Sequence, residues 1–190
     1  MKPWMENYLK SQKHALDSLP VETLSFVIDA FHRAWLDGRQ IYVFGNGGSA
    51  ASCSHFATDL GKGSSDRLSR RFKIISLNDN TAWITALGND YSYEDIFVRQ
   101  LMNYAQPGDI AFTMSVSGSS PNLVKALQWA KENGLVTIAL VGEKRGMLAS
   151  VADHVMVVAD GHYGRVEDSH MTIAHMICYA FMENAERFSP

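Results

Sequence analysis

The sequence predicts an α/β protein in which helices cover both faces of a parallel β-sheet. Short apolar runs alternate with helical segments, a pattern typical of strands that are buried on both sides. Two of these runs end in turns rich in glycine or serine that lead directly into helical sequence. Because a chain of 190 residues suits one domain, residues 1–190 are predicted to form a single domain.

The composition excludes several classes of protein. With 46% hydrophobic and 19% charged residues, the chain is too apolar for intrinsic disorder, and a net charge of −3 disfavours nucleic-acid binding. Cys53 and Cys178 match no zinc-finger spacing, which indicates reduced thiols. No apolar run approaches the ~20 residues that span a bilayer. We therefore expect a cytoplasmic protein without nucleic-acid or membrane partners.

The elements follow from the order of these patterns. Residues 1–38 have helical spacing, with Pro20 separating two helices and Gly38 as a stop. The predicted strands are 41–44, 72–77, 110–114, 136–141 and 154–158. After the first strand a helix is expected to run through Leu60, followed by a loop over 61–71; later helices are expected over 123–132 and 166–188.

The first glycine turn, residues 45–49 (GNGGS), leaves a predicted strand and opens a helix. Unpaired backbone N–H groups and the helix dipole at such a point favour an anion or an oxygen-rich ligand. The dinucleotide fingerprint is incomplete, since Ala50 stands where its third glycine is required. A glycine turn at this junction also serves packing alone, and the residues leave both interpretations open.

The second turn is more informative because Ser115, Ser117, Ser119 and Ser120 surround Gly118 just before a helix. Hydroxyl and amide groups in this arrangement form a charge-neutral cradle for phosphate. The alternative is a solvated loop with a helix cap, and the position at the end of a strand favours phosphate. Both turns are predicted to face one crevice, because ligands bind at the carboxyl ends of parallel strands.

Candidate metal ligands occur in two segments. His55 and Asp59 are four residues apart on one predicted helix and share a face, although such a pair is more often a surface hydrogen bond. The C-terminal segment adds Glu167, Asp168, His170 and His175. Glu167 and His175 are separated by a helical rise of ~12 Å. One ion can meet both only if Glu167 lies at a frayed helix start or the two come from different subunits. His170 and His175 stay equivalent on this evidence.

Four stretches of the chain resemble the SIS (sugar isomerase) domain, specifically the bacterial phosphoheptose isomerase family. They are residues 45–60, 77–101, 115–127 and 165–178. The resemblance implies a three-layer α/β/α sandwich with a flavodoxin-like, five-stranded parallel sheet. It also implies a homotetramer with active sites at subunit interfaces, in which the helical extension 1–38 is used for oligomerisation.

The resemblance also implies a set of site residues. The implied substrate contacts are Asn46, Gly47, Gly48, Ser49, Asp59, Asn89, Asp90, Ser115, Val116, Ser117, Ser120 and Glu167. One zinc or other divalent ion per site is implied, and the implied ligands are His55, Asp59, Glu167 and His175. Asp59 and His175 occupy the family's acid–base positions, which leaves His170 a role in helix packing or in supporting the metal ligands.

Three residues depart from the family pattern: Asp59 replaces Glu, Glu167 replaces Gln, and Gly164 replaces Asp. Aspartate is one methylene shorter, and a shift near 1 Å in a catalytic group costs on the order of 100-fold in rate. Glu167 adds an anion that strengthens cation binding but weakens the pull of the metal on a substrate oxygen. Both residues keep atoms that bind metals, which favours an altered but active site.

The implied activity is a metal-dependent aldose–ketose isomerisation through an enediol. The expected reaction converts sedoheptulose 7-phosphate to a D-glycero-D-manno-heptose 7-phosphate. One alternative is a noncatalytic SIS adaptor of the kind that binds a replication initiator, and another is an SIS isomerase for a different sugar phosphate. Acidic or imidazole groups at all four metal positions favour an enzyme over the adaptor.

Overall fold

The computed structural model describes residues 1–188, so the last two residues of the predicted domain lie outside the described part of the chain. A five-stranded sheet in the order β2-β1-β3-β4-β5 forms the middle layer, and every pairing is parallel. The strands are β1 (Gln40–Gly45), β2 (Lys73–Ser76), β3 (Ile110–Ser115), β4 (Val136–Val141) and β5 (His154–Val157). The predicted flavodoxin-like sheet is confirmed.

Helices connect the strands and cover the sheet. They are α1 (Lys2–Asp17), α2 (Val21–Leu36), α3 (Gly48–Thr58), α4 (Thr81–Asp90), α5 (Val98–Tyr104), α6 (Pro121–Glu132), α7 (Leu148–Val151) and α8 (Tyr163–Glu183). None of the helices in residues 1–188 combines the length and the apolar character that a membrane span requires.

The sheet separates two apolar cores because its central strands are buried on both faces. Val43 and Phe112 point into one core, which packs against α2, α3 and α8. Tyr42 and Phe44 point into the other, which packs against α5 and α6. The alternation of side chains along β1 therefore sends neighbouring residues to opposite layers.

Residues 1–38 form two helices separated at Pro20, as the sequence predicts. Helix α1 lies against α8, where Gln12 Nε2 donates to Ser169 Oγ at 3.2 Å. Only Ala15 of α1 is buried, and Trp4 and Leu9 are 60% and 59% exposed. The use of this extension in oligomerisation stays a prediction.

The predicted loop over 61–71 is partly helical. Helix α3 ends at Thr58 and continues as a π-helical segment, Asp59–Ser64, and a short 3₁₀ helix, Ser65–Arg67. Serine hydroxyls support this path, since Ser64 Oγ donates to Cys178 O at 3.0 Å and Ser65 Oγ donates to Leu60 O at 3.1 Å. The polar composition that suggested a loop thus supplies the hydrogen bonds of a buried turn.

The C-terminal helix also differs from its predicted bounds of 166–188. It begins earlier, at Tyr163, and ends at Glu183, after which a 3₁₀ helix covers Ala185–Phe188. Asn184 Nδ2 donates to the Ala180 carbonyl at 3.0 Å near the point where the helix ends. The early start matters for the site, because it places Glu167 inside the helix.

Candidate active site

A cavity of about 320 Å³ opens at the carboxyl ends of β1 and β3. It is lined by Asn46, Gly47, Gly48, Ser49, Met114, Ser115, Val116, Ser117, Ser120, Tyr163 and Glu167. The two predicted turns therefore face one crevice. Of the implied substrate contacts, only Asp59, Asn89 and Asp90 are not part of this lining.

The glycine turn exposes the amino end of α3 to the cavity. Gly47 has a φ of +55°, a conformation that side chains rarely adopt, and α3 begins at Gly48 without a side-chain cap. Its first N–H groups are therefore available to a ligand. A Cβ atom added at Gly48 would lie 2.6 Å from Glu167 Oε1, so glycine is what permits this carboxylate to approach the turn.

The serine turn is held in place by its own hydroxyls and by the neighbouring loop. Gly118 N donates to Ser115 Oγ at 3.1 Å, and Gly118 O accepts from Leu148 N at 2.8 Å. Ser120 is the N-cap residue of α6 but makes no side-chain capping bond, so its hydroxyl is free for a ligand. No lysine or arginine of the described residues lines the cavity, and Glu167 adds a carboxylate to it, so the serine turn offers hydroxyl and amide donors but no positive charge to an anion.

His55, Asp59 and His175 form a separate cluster where α3 and α8 lie side by side. Asp59 Oδ2 is 3.2 Å from His55 Nε2 and 3.6 Å from His175 Nε2, and one ligand atom from each residue lies within 4.8 Å of the others. A tetrahedral zinc ion with bonds of ~2.0–2.1 Å keeps its ligand atoms roughly 3.3–3.5 Å apart. Two imidazoles and one carboxylate therefore fit a divalent cation. We call this cluster the His/Asp triad.

Glu167 is outside the His/Asp triad and belongs to the cavity. It follows the start of α8 at Tyr163 by a full turn, so it is not at a frayed helix end. One ion could meet Glu167 and His175 at a frayed helix start or with ligands from different subunits. Only the second arrangement agrees with this helix. The metal-ligand role of Glu167 stays a prediction that needs a second subunit.

Asn89 and Asp90 lie at the end of α4, where Asn89 Nδ2 donates to Asp90 Oδ1 at 2.9 Å. Both are exposed and neither lines the cavity. Their predicted contact with a substrate is therefore not formed by the cavity of a single chain.

Gly164 is one of the three positions that depart from the family pattern. It makes room for α1, since a Cβ there would lie 3.0 Å from the Tyr8 hydroxyl.

The buried titratable groups near the site are uncharged near pH 7. Burial lowers the pKa of His170 to about 4, an effect that the Val141 carbonyl opposes, so the ring is neutral near pH 7. Burial also raises the pKa of Cys178 to about 12 and raises that of Cys53. Both cysteines are free. All three side chains are buried, and the role of His170 stays a prediction.

Two further residues line the cavity, Met114 and Tyr163. Met114 is the penultimate residue of β3, and its burial was expected from the apolar run. Tyr163 carries no sequence signal, because its position depends on where α8 starts relative to the turns. A larger groove of about 1000 Å³ follows β2 and contains none of the predicted site residues.

The SIS domain family profile matches residues 7–142. A probable phosphoheptose isomerase of Thermoplasma acidophilum is 37% identical over 173 residues, which cover 91% of this chain and 94% of that protein. A phosphoheptose isomerase of Citrifermentans bemidjiense is 40% identical over 156 residues, which cover 82% and 78%. The structure of phosphoheptose isomerase from Neisseria gonorrhoeae has a TM-score of 0.87 at 25% identity, covering 95% of this chain and 97% of that one. The chain therefore belongs to the SIS domain family and is a homologue of the phosphoheptose isomerases.

Proposed function

We propose that the protein is a phosphosugar aldose–ketose isomerase that interconverts sedoheptulose 7-phosphate and D-glycero-D-manno-heptose 7-phosphate. The observation that carries this proposal is the convergence of the glycine and serine turns on one cavity of about 320 Å³. That volume lies within the ~300–1000 Å³ range of small-ligand sites. Relatives at 37% and 40% identity that are named phosphoheptose isomerases support the choice of a seven-carbon sugar.

The serine turn is proposed to hold the phosphate. Ser115, Ser117 and Ser120 line the cavity beside the amino end of α6. Hydroxyl donors and the helix dipole bind a phosphate dianion without a cation. The glycine turn and Asn46 are then left to contact the hydroxyls of the sugar chain.

The His/Asp triad is proposed to hold one divalent cation, for which zinc is the first choice. When bound, such a cation stabilises the negative charge that develops on a substrate oxygen as the enediol forms. Glu167 is proposed as a further ligand from a second subunit. The acid–base roles are proposed for Asp59, which transfers a proton between adjacent carbons, and for His175, which transfers one at oxygen.

These roles require an assembly. Asp59 follows Gly48 by a helical rise of ~16 Å, so the triad of one chain lies beyond the lining of its own cavity. We therefore propose a homotetramer in which one subunit's triad faces another's cavity, with residues 1–38 in the contacts. The exposed apolar side chains of α1 support this role. A cytoplasmic location, in keeping with two free, buried thiols, is part of the same proposal.

A coupled turnover assay with sedoheptulose 7-phosphate and with five- and six-carbon ketose phosphates tests the proposal. We expect turnover of the seven-carbon substrate, loss of turnover after chelation, and recovery on adding zinc. Turnover of a five- or six-carbon substrate alone would assign the protein to a different sugar phosphate. Absence of both metal and turnover would support the adaptor instead.

A further inference from the structure

The two turns that form the cavity are joined by a reciprocal pair of side-chain hydrogen bonds. Asn46 Nδ2 donates to Asn122 Oδ1 at 2.9 Å, and Asn122 Nδ2 donates to Asn46 Oδ1 at 2.8 Å. Asn46 belongs to the glycine turn, whereas Asn122 is the second residue of α6, directly after the serine turn. The pair therefore links segments that are 76 residues apart.

Asn122 is built into the protein rather than presented to solvent. It is 2% exposed, it is not part of the cavity lining, and its Oδ1 also accepts from Leu123 N at 3.0 Å. Asn46, in contrast, lines the cavity and receives a third contact from the Tyr93 hydroxyl at 3.3 Å. The buried amide thus acts on a ligand only through the amide that lines the cavity.

The glycine turn is also held from its other side. Asn78 Oδ1 accepts from Gly45 N at 3.2 Å, and Asn78 Nδ2 donates to Gly45 O at 2.8 Å. Asn78 continues the hydrogen bonding of β2 past the end of the strand and fixes the backbone of β1. The orientation of the Asn46 side chain therefore depends on its hydrogen bonds with Asn122 and Tyr93.

We propose that Asn122 is a positioning residue that fixes the Asn46 amide and the spacing of the glycine and serine turns before a ligand binds. A ligand whose phosphate rests on one turn and whose hydroxyls reach the other must otherwise order both turns on binding. Two mutual amide bonds, in which Asn122 is the buried partner, set that order in advance. The chemical class of the ligand, a sugar phosphate, rests on the proposed function, but the link between the turns does not.

The first test is a set of Michaelis parameters for Asn122→Ala, Asn46→Ala and the double variant with the proposed heptulose phosphate. Loss of the buried amide bonds is expected to raise KM about 10-fold, with kcat changed by less than about twofold. The double variant is expected to match Asn46→Ala, because Asn122 acts through Asn46. An unchanged KM in Asn122→Ala, or additive effects in the double variant, would overturn the proposal.

Gln100→Ala is the matched control. Gln100 is an amide of similar burial, 3% exposed, and its Nε2 donates to Leu77 O and Ile96 O, outside both turns. It is expected to lower the melting temperature as Asn122→Ala does while leaving KM unchanged. An equal rise in KM in this control would mean that general destabilisation, rather than positioning, explains the effect.

Hydrogen exchange separates this inference from the proposed function. Asn122→Ala is expected to speed amide exchange in both turns, residues 45–49 and 115–120, and Gln100→Ala is not. Unchanged exchange in both turns would overturn the inference whether or not the protein turns over a sugar phosphate. Should the alanine variant unfold, Asn122→Asp keeps the side-chain size and the bond to Leu123 but loses the donor to Asn46, and the same hydrogen-exchange outcomes apply to it.

Discussion

The cavity and the His/Asp triad differ in how they are built. Backbone groups and mostly small side chains at the ends of two paired strands form the cavity together with Tyr163 and Glu167 of α8, so the register of the sheet and the position of α8 set its shape. Three side chains on helical segments form the triad, and they are 54%, 30% and 44% exposed. A single chain thus holds a lined cavity and, apart from it, a cluster of side chains that could hold a metal ion.

The same two helices run from one region to the other. Helix α3 carries Gly48 in the cavity and His55 in the triad, and α8 carries Glu167 in the cavity and His175 in the triad. These intervals of seven and eight residues correspond to ~10 and ~12 Å of helical rise. In the proposed function, about two helical turns therefore separate the residues that bind the ligand from those that carry out the chemistry.

The largest expected effect is on the triad. Asp59→Ala and His175→Ala should each lower kcat by about 10²- to 10⁴-fold, since positioned acid–base groups contribute this much. KM should change little, because neither residue lines the cavity. Metal content measured on the same preparations should fall. Asp66→Ala, an exposed carboxylate in the adjacent segment, is the control, and full turnover in either triad variant would refute the assignment.

The stability of the protein should decrease in acid because of a buried histidine on α8, one of the two helices that join the two regions. His170 lies between Glu167 and His175, and its pKa is lowered to about 4 by burial. In the unfolded chain the ring titrates near the ordinary 6.5, so the unfolded state binds more protons between these values. The part of the free energy of unfolding that depends on this ring is therefore largest above pH 6.5. It falls by about 3 kcal/mol as the pH decreases toward 4. Urea unfolding at several pH values measures it, and His170→Leu should flatten this dependence.

Variants of the serine turn should affect binding and leave chemistry intact. Ser117→Ala and Ser120→Ala should each raise KM about 10-fold, because each removes one donor to the phosphate. Ser119→Ala is a matched control in the same turn, since Ser119 does not line the cavity. A loss of kcat without a change in KM in the two cavity variants would contradict the division between the regions.

The smallest expected effect is that of Glu167→Gln. Removal of a carboxylate from the phosphate cavity should lower KM about threefold, since a like charge no longer opposes the phosphate. Metal content of Glu167→Ala decides whether Glu167 also serves a partner's triad, because glutamine would itself keep an oxygen that binds metals. Unchanged stoichiometry would confine this residue to the cavity, whereas a loss would show that it is a ligand from a second subunit.

The central strands were predictable because burial on both faces leaves a continuous apolar run. The predicted range 136–141 coincides with β4, Val136–Val141. Helix α4 is harder to recognise, since it depends on a local cap in which Asn80 Oδ1 accepts from Trp83 N at 3.0 Å. Residues 61–64 are predicted as part of a loop because glycine, serine and lysine carry no helical periodicity, and their π-helical path depends on contacts with α8.

The fold class, the glycine and serine turns and their shared crevice could be predicted from the amino-acid sequence, because each strand, turn and helix is specified locally and parallel strands end at one edge of a sheet. The tertiary structure was needed to show which residues lie together. It placed Glu167 with the serines and His175 with His55 and Asp59, since a continuous helix separates residues eight positions apart. It also joined Asn46 to Asn122, a pairing between distant segments that depends on β1 and β3 being neighbours in the sheet.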